Sequence, residues 1–254
     1  MKKADTNTIN ATSSAKAEFR FDSFIECKTN KTAFYCAKII AQNPLTTSFN
    51  PLLIYGDSAT GKTHLTQAIW NEIIQFHPAV NVKYITAFSL YFHYIESIKN
   101  NNHNELIASF LDTDILIVDD LHHLDNKEKT QECLLHILEM LSGKQIITTS
   151  KLKLNEFSSL NSQLSSRLSG VIVTMTGYDS ESKFEILKHK ALLNQLTIPE
   201  EAIKELAEIE ELDIRQSEGA LISLALNALV AKEEVAQNTV KAFCLKFYNL
   251  SKKD

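Results

Sequence analysis

The amino-acid sequence predicts an α/β fold in which helices flank a parallel sheet, followed by a small all-helical subdomain. Short apolar segments without strict polar alternation, as in strands buried on both faces, alternate with amphipathic helical segments. A glycine-rich phosphate-loop consensus stands between the first of these strands and the helix after it. Past Gly177 the strand pattern stops and only helical patterns continue.

The predicted elements follow one another in a regular order. Strands are predicted at residues 52–55, 82–86, 114–119, 145–149 and 170–175. Helices are predicted at residues 62–76, 89–99, 104–111 and 127–141, and beyond the sheet at 180–195, 200–210, 214–230 and 236–248. Between Glu200 and Asp213 seven acidic residues stand against one lysine, Lys204, which is typical of a solvated helix face.

Three regions are predicted from these patterns. Residues 1–18 are rich in Asn, Thr, Ser, Ala and Lys and hold almost no large apolar side chain, so they cannot offset the entropy of ordering. They are predicted to form a flexible tail. Residues 19–176 are predicted to form the phosphate-loop core, and residues 177–254 a helical lid subdomain.

Composition excludes several classes of protein. With 254 residues, 44% of them hydrophobic, the chain can bury a sizeable core, so disorder is excluded as its dominant state. No apolar run approaches the roughly 20 residues of a membrane span, and the N-terminal segment lacks the apolar centre of a signal peptide. We therefore expect a soluble, cytoplasmic protein with no membrane partner.

Cysteine spacing and net charge narrow the field further. The four cysteines lie far apart, with no CxxC pair and no His/Cys ligand spacing, so neither a disulfide framework nor a zinc site is indicated. The net charge of -5 argues against a protein whose whole surface grips duplex DNA. Any contact with nucleic acid is expected to be local.

The segment GDSATGKT matches the G-x-x-x-x-G-K-[ST] phosphate loop in its expected setting between a strand and a helix. Gly56 and Gly61 allow the backbone to wrap closely around phosphates and to aim its N–H groups inward. Lys62 is predicted to neutralise the β- and γ-phosphates of bound ATP, and the Thr63 hydroxyl to hold Mg²⁺; the same loop would bind ADP. The candidate nucleotide-binding residues are Gly56, Asp57, Ser58, Ala59, Thr60, Gly61, Lys62, Thr63 and His64.

A second motif, ILIVDD, ends a predicted buried strand with two carboxylates. Asp119 is predicted to hold magnesium through water, and Asp120 to orient or activate the attacking water. His122 and His123 follow at once. Adjacent histidines cannot easily share one ion and no further ligand is near, so they are predicted to be a solvated or partly packed pair rather than a metal site.

In the order of these motifs the chain resembles the AAA+ ATPases, and specifically the bacterial chromosomal replication initiator (DnaA) family. The resemblance extends from about residue 19 to residue 248. It rests on FRFDSFIECKTN before the core, NPLLIYGDSATGKTHL at the phosphate loop, ILIVDDLHHL and NKEKTQECLLHIL after it, and DIRQSEGAL in the helical region. It implies an AAA+ sheet with a helical lid and a weak ATPase that uses ATP and Mg²⁺.

The resemblance also implies roles for three basic residues. Arg167 in QLSSRL matches the arginine finger that reaches the γ-phosphate held by a neighbouring subunit, and Arg215 in DIRQSEGAL matches the lid arginine that senses the phosphate of its own subunit. A planar, permanently charged guanidinium suits both tasks. Lys129 matches a basic position used to hold single-stranded DNA, although a solvated helix lysine explains it as well.

The chain also departs from the family pattern. Lys151 stands where initiators carry an acidic sensor after the fourth strand, and Gln163 replaces a further arginine near the finger. Both changes put efficient hydrolysis and standard subunit packing in question. The chain ends at SKKD, where an initiator continues into its helix-turn-helix domain, so we expect no sequence-specific duplex binding by this chain alone.

Several functions share this fold. The leading hypothesis is an ATP-binding DnaA-family core that acts in replication initiation or its control through head-to-tail assembly with itself or with a full-length initiator, either as a truncated paralogue or as a piece of one. A Hda-like regulator would need a clamp-binding peptide near its start, and none is visible. A DnaC-like helicase loader or transposition helper would have a less initiator-like lid. A nucleotide-binding scaffold without turnover is the fourth alternative.

Overall fold

A computed structural model describes residues 17–46, 49–232, 235 and 237–248 of the chain. The predicted tail therefore lies almost wholly outside the described residues. The described chain forms two compact units. The first contains the described residues up to 26, residues 30–57 and residues 61–175; the second contains residues 27–29, residues 58–60 and the described residues from 176 onward.

The first unit is built on a sheet of five parallel strands, which confirms the predicted fold class. The strands are β1 (Leu52–Gly56), β2 (Val82–Thr86), β3 (Ile115–Asp119), β4 (Gln145–Ser150) and β5 (Val171–Met175). Their order across the sheet is β2-β3-β4-β1-β5. Each predicted strand agrees with the structure to within one residue at either end. In a parallel sheet all carboxyl ends meet at one edge, and β1 and β3 bring their following loops there.

Six α-helices accompany this sheet within the described residues. They are α1 (Lys31–Gln42), α2 (Lys62–Phe76), α3 (Ala87–Lys99), α4 (His103–Ala108), α5 (Glu128–Met140) and α6 (Ser162–Leu168). The bounds of α2 are those predicted. Two of the helices, α1 and α6, fall outside the predicted segments, and short 3-10 helices occupy Leu121–Leu124 and Leu154–Glu156.

Apolar side chains cover both faces of the sheet. On β3, Ile115 and Ile117 join one buried cluster with α1 and α2, whereas Leu116 and Val118 join a second cluster with α3, α5 and α6. Successive side chains of a strand point to opposite faces, so a strand buried on both sides must be apolar throughout. This explains why the strand segments show no polar alternation in the sequence.

Beyond residue 176 the described part of the second unit consists of helices joined by loops, with no strand. Its helices are α7 (Ser180–Leu193), α8 (Glu200–Ala207), α9 (Ile214–Ala231) and α10 (Gln237–Phe247). Leu187, Leu206 and Leu221 lie in its own buried cluster. The start of α9 is fixed by a capping box between Asp213 and Gln216. No helix among the described residues is long and apolar enough to cross a membrane.

The acidic residues between Glu200 and Asp213 are exposed as expected, with the exception of Glu205. Glu205 does not belong to a solvated face: its residue is only 9% exposed, and burial raises the pKa of its carboxyl group, with Lys241 partly offsetting this. The hydrophobic pattern of α8 turns this position toward the helical core, where Ile203 and Leu206 are also buried. The number of charges along a segment does not show which side of the helix faces the core.

We predict that Gly56→Ala destabilises the protein by about 1–3 kcal/mol, the usual range for overpacking. A Cβ at this position would overlap the backbone oxygen of Met175, so β1 and β5 must shift to admit it. Urea unfolding measures the change. The matched control is Gly177→Ala, where nothing lies within 4 Å of the added carbon and the free energy of unfolding should change by less than about 1 kcal/mol. Equal effects of the two substitutions would contradict the packing argument.

Candidate functional site

The phosphate loop runs from the end of β1 to the first turn of α2 through two residues with left-handed backbone. Gly61, the residue just before α2, has a φ of 93°, a conformation that glycine adopts without steric cost. Ala59 has a φ of 61°, which is uncommon for a residue with a Cβ. Strained backbone of this kind clusters at ligand-binding loops. The loop ends at a helix N-terminus, whose N–H groups and dipole favour an anion.

The side chain of Lys62, the first residue of α2, reaches back to the start of the phosphate loop. The residue is 6% exposed, and its Nζ donates hydrogen bonds to the backbone oxygens of Gly56, at 2.7 Å, and Asp57, at 2.5 Å. These acceptors are neutral carbonyls at the opposite end of the same loop. The arrangement places a positive charge within the curve of the phosphate loop.

Asp119, at the end of β3, accepts hydrogen bonds from three hydroxyl groups. It is 1% exposed. Its Oδ2 accepts hydrogen bonds from Thr63 Oγ1, at 2.8 Å, and from Tyr84 Oη, at 2.6 Å, and its Oδ1 accepts one from Thr149 Oγ1 at 2.5 Å. The structure thus brings together Thr63 and Asp119, the two residues that the sequence predicts at a magnesium ion. Hydroxyl and carboxylate oxygens are the ligands that Mg²⁺ prefers.

Asp120 turns the chain sharply at the end of β3. Its φ is 56°, and its backbone N–H donates to Thr149 Oγ1 at 2.8 Å. Thr149 on β4 therefore accepts from one aspartate of the motif and donates to the other. This threonine locks the two carboxylate-bearing residues to the adjacent strand, a role that the sequence analysis did not predict.

His122 lies beside the Asp120 carboxylate, with 4.0 Å between Nδ1 and Oδ1. Its side chain is only 8% exposed, and burial lowers its pKa to about 4, helped by electrostatic interaction with the nearby side chains of His123, Lys151 and Lys62. The imidazole is consequently neutral at neutral pH. This agrees with the predicted partly packed pair. It also means that Asp120 has a neutral neighbour rather than a cationic one.

The other predicted residues lie on exposed helix surfaces. Arg167 is in the last turn of α6 in the first unit, and Arg215 is near the start of α9 in the second. Neither guanidinium makes a hydrogen bond or an ion pair with the residues that the structure describes. Lys129, at the start of α5, is paired with Glu132 at 3.0 Å. The roles of all three remain predictions.

The sequence patterns did not predict two residues of the site, Tyr84 and Thr149. A signal for Tyr84 exists: β2 pairs with β3 in the register Tyr84 to Ile117, and side chains two apart share a face, so Tyr84 and Asp119 must point to the same side of the sheet. Using it requires the strand order and the register, and neither is written in the local sequence.

Comparison with known proteins agrees with this geometry. The sequence model of the bacterial DnaA ATPase domain matches residues 15–175. The chain belongs to the bacterial DnaA family. The chromosomal replication initiator protein DnaA of Flavobacterium psychrophilum is 36% identical over 245 residues, which are 95% of this chain and 51% of that protein. The chain thus spans about half the length of the curated DnaA relatives it matches.

Solved DnaA structures share the fold. Domain III of the Thermotoga maritima replication initiation protein DnaA superposes with a TM-score of 0.86 at 29% identity, covering 92% of this chain and 99% of that one. A replication initiator DnaA bound to AMPPCP and single-stranded DNA gives a TM-score of 0.77 at 28% identity, covering 94% and 76%. The resemblance that the motifs indicate is therefore confirmed, and these relatives favour the initiator family over a Hda-like or DnaC-like protein.

Proposed function

We propose that this chain binds ATP with Mg²⁺ and acts as the ATPase core of a DnaA-type protein in the initiation of chromosomal replication or its control. The observation that carries the proposal is the 2.8 Å hydrogen bond between Thr63 and Asp119. It joins the phosphate loop after β1 to the acidic end of β3, the pairing that phosphoryl transfer requires. The likeness to a DnaA that binds AMPPCP supports the same conclusion.

In this proposal each residue has a physical task. Lys62 and the N–H groups of the loop bind the phosphates, and Thr63 and Asp119 hold the ion. Bound Mg²⁺ supplies neutralisation of the charge on the β- and γ-phosphate oxygens. Asp120 orients the attacking water, with its backbone fixed by Thr149 and its carboxylate left unneutralised by His122. Lys151 is exposed and contributes positive charge near His122, where the family carries an acid.

The test of nucleotide binding is Lys62→Ala. A ligand that binds only the native state stabilises it by mass action, about 2.7 kcal/mol at a hundredfold excess over Kd. We expect wild-type protein to show an ATP- and Mg²⁺-induced thermal shift and Lys62→Ala to lose it, because the charge inside the loop is gone. Lys99→Ala, which removes an exposed lysine at the end of α3, is the control and should keep the full shift. An undiminished shift in Lys62→Ala would refute the site.

The exposed Arg167 supports a proposal on assembly between subunits. Its guanidinium is exposed and makes no hydrogen bond or ion pair within the described part of the chain, so it is available to a second molecule. We propose that it reaches the γ-phosphate of a neighbouring subunit, either another copy of this chain or a full-length DnaA initiator. Such head-to-tail contacts need not close and can grow as a filament.

For Arg167→Ala we expect unchanged ATP affinity and at least a tenfold loss of the ATP hydrolysis that mixing with full-length initiator stimulates, since an arginine finger acts on the transition state. Sedimentation should show association with ATP but not with ADP. Ser166→Ala, at an exposed position on the same helix, is the control and should retain stimulation. A monomer at every concentration with ATP, together with no effect on the initiator's hydrolysis, would contradict the proposal.

Single-stranded DNA is the second proposed partner, and the surface of α3 supports it better than Lys129 does. The ion pair with Glu132 partly neutralises Lys129. On α3, by contrast, Phe88 is 55% and Phe92 is 49% exposed, with ring centroids 4.7 Å apart. Exposed aromatic rings stack on bases regardless of sequence. Lys127, whose Nζ lies 5.1 Å from the centroid of the Tyr91 ring, adds positive charge beside them.

We expect the double variant Phe88→Ala/Phe92→Ala to weaken binding of a fluorescent oligo-dT in the presence of ATP by tenfold or more, as stacking is worth about 1–3 kcal/mol per base. The slope of log affinity against log salt should stay unchanged, because no phosphate contact is lost. Lys127→Ala should instead reduce that slope by about 0.7. Phe76→Ala removes a ring that is 58% exposed at the end of α2 and should have no effect. A reduced slope in the double phenylalanine variant and an unchanged slope in Lys127→Ala would contradict the proposed stacking contact.

A further inference from the structure

Tyr84 is a buried tyrosine whose hydroxyl points at the acidic end of β3. It is 1% exposed, and its Oη donates to Asp119 Oδ2 at 2.6 Å. An ionised carboxylate can only accept a hydrogen bond, so the phenol is the donor in this contact. The Gln67 side chain of α2 also hydrogen-bonds the phenol.

The ring of Tyr84 is held as firmly as its hydroxyl. It stacks on Trp70, with centroids 5.2 Å apart and planes 5° from parallel. Trp70 lies on α2, the helix that begins with Lys62 and Thr63. Tyr84 therefore connects β2 both to the helix that carries the phosphate loop and to the carboxylate of Asp119.

The division of hydrogen bonds on Asp119 explains what such a contact can do. Oδ1 is held by Thr149 and Oδ2 is shared by Thr63 and Tyr84. A threonine hydroxyl that donates its hydrogen to a carboxylate keeps its lone pairs, which could then ligate a cation. Without the phenol, Oδ2 would keep one hydroxyl fewer, and the carboxylate could rotate about its side-chain bonds.

We propose that Tyr84 is a positioning residue for Mg²⁺ binding, its hydroxyl holding the Asp119 carboxylate in the orientation in which Thr63 presents its oxygen to the ion. This inference rests on the proposed ATP- and Mg²⁺-binding function. Groups that orient a metal's ligands typically change metal affinity by 10–100-fold when removed. Tyr84 thereby sets how much the nucleotide complex gains from magnesium, without itself touching the ion or the nucleotide.

The experiment is Tyr84→Phe, which deletes the hydroxyl and keeps the ring on Trp70. Calorimetry gives the Kd for ATP with excess Mg²⁺ and with EDTA. We expect the EDTA value to stay at the wild-type level and the Mg²⁺-dependent gain in affinity to fall tenfold or more. A residue with a purely structural role would weaken both values alike. Trp70 is the chain's single tryptophan, so unchanged emission shows that the stack persists.

Two further variants test whether the effect is specific to the Tyr84 hydroxyl and to Asp119. Tyr91→Phe removes a hydroxyl from a partly buried tyrosine on α3 and should leave both Kd values unchanged. In an Asp119→Asn background, Tyr84→Phe should have no further effect on the magnesium gain, because it acts through that carboxylate. If wild-type protein gains affinity from Mg²⁺ and Tyr84→Phe gains equally, the inference on Tyr84 is overturned alone. If wild-type protein shows no ATP affinity at all, the proposed function fails first.

Discussion

The buried carboxylate of Asp119 is the interaction on which the site depends. A charged group that is 1% exposed persists only when polar partners replace the water it has lost. Here three hydroxyls do so, from Thr63 on α2, Tyr84 on β2 and Thr149 on β4. Each donor belongs to a different element. The same hydrogen bonds that compensate the buried charge therefore fix the phosphate-loop helix and two strands relative to the end of β3.

The sheet imposes the second constraint. Because β3 is covered on both faces, its residues Ile115 through Val118 must be apolar, and the first place where the chain can offer carboxylates is the carboxyl end. The loop after β1 reaches the same edge. Close approach of β1 and β5 leaves no room for a Cβ at Gly56, so this glycine serves strand packing as well as the phosphate loop. Stability and binding thus place demands on one residue.

Exposure separates the residues proposed to bind nucleotide within one subunit from those proposed to contact a second subunit or single-stranded DNA. Lys62 and Asp119 are buried, whereas Arg167 and the aromatic rings on α3 face outward. A buried group gains strength from its low-dielectric surroundings, while an exposed guanidinium becomes effective only when a partner excludes water from it. This division matches the proposed function, in which the nucleotide site is assembled within one subunit and ATP hydrolysis depends on association.

The sequence by itself determined the strands, the bounds of α2, the phosphate loop and the two aspartates, because burial on both faces, glycine at a left-handed turn and a charged end to an apolar run are local requirements. Two helices were not predicted. In α1 the buried positions Ala33, Ala37 and Ile40 follow the spacing of a helix face, so the sequence does carry a signal for it. In α6 there are only seven residues, three of them serine, and the helix depends on its Asn161 cap. Only the tertiary structure decided which hydroxyls meet Asp119, that His122 is neutral and that Glu205 is buried. These three features depend on groups that strand order, register and helix packing bring close together. Tyr84 and Thr149 lie 35 and 30 residues from Asp119 along the chain, a separation at which a local sequence pattern carries no information.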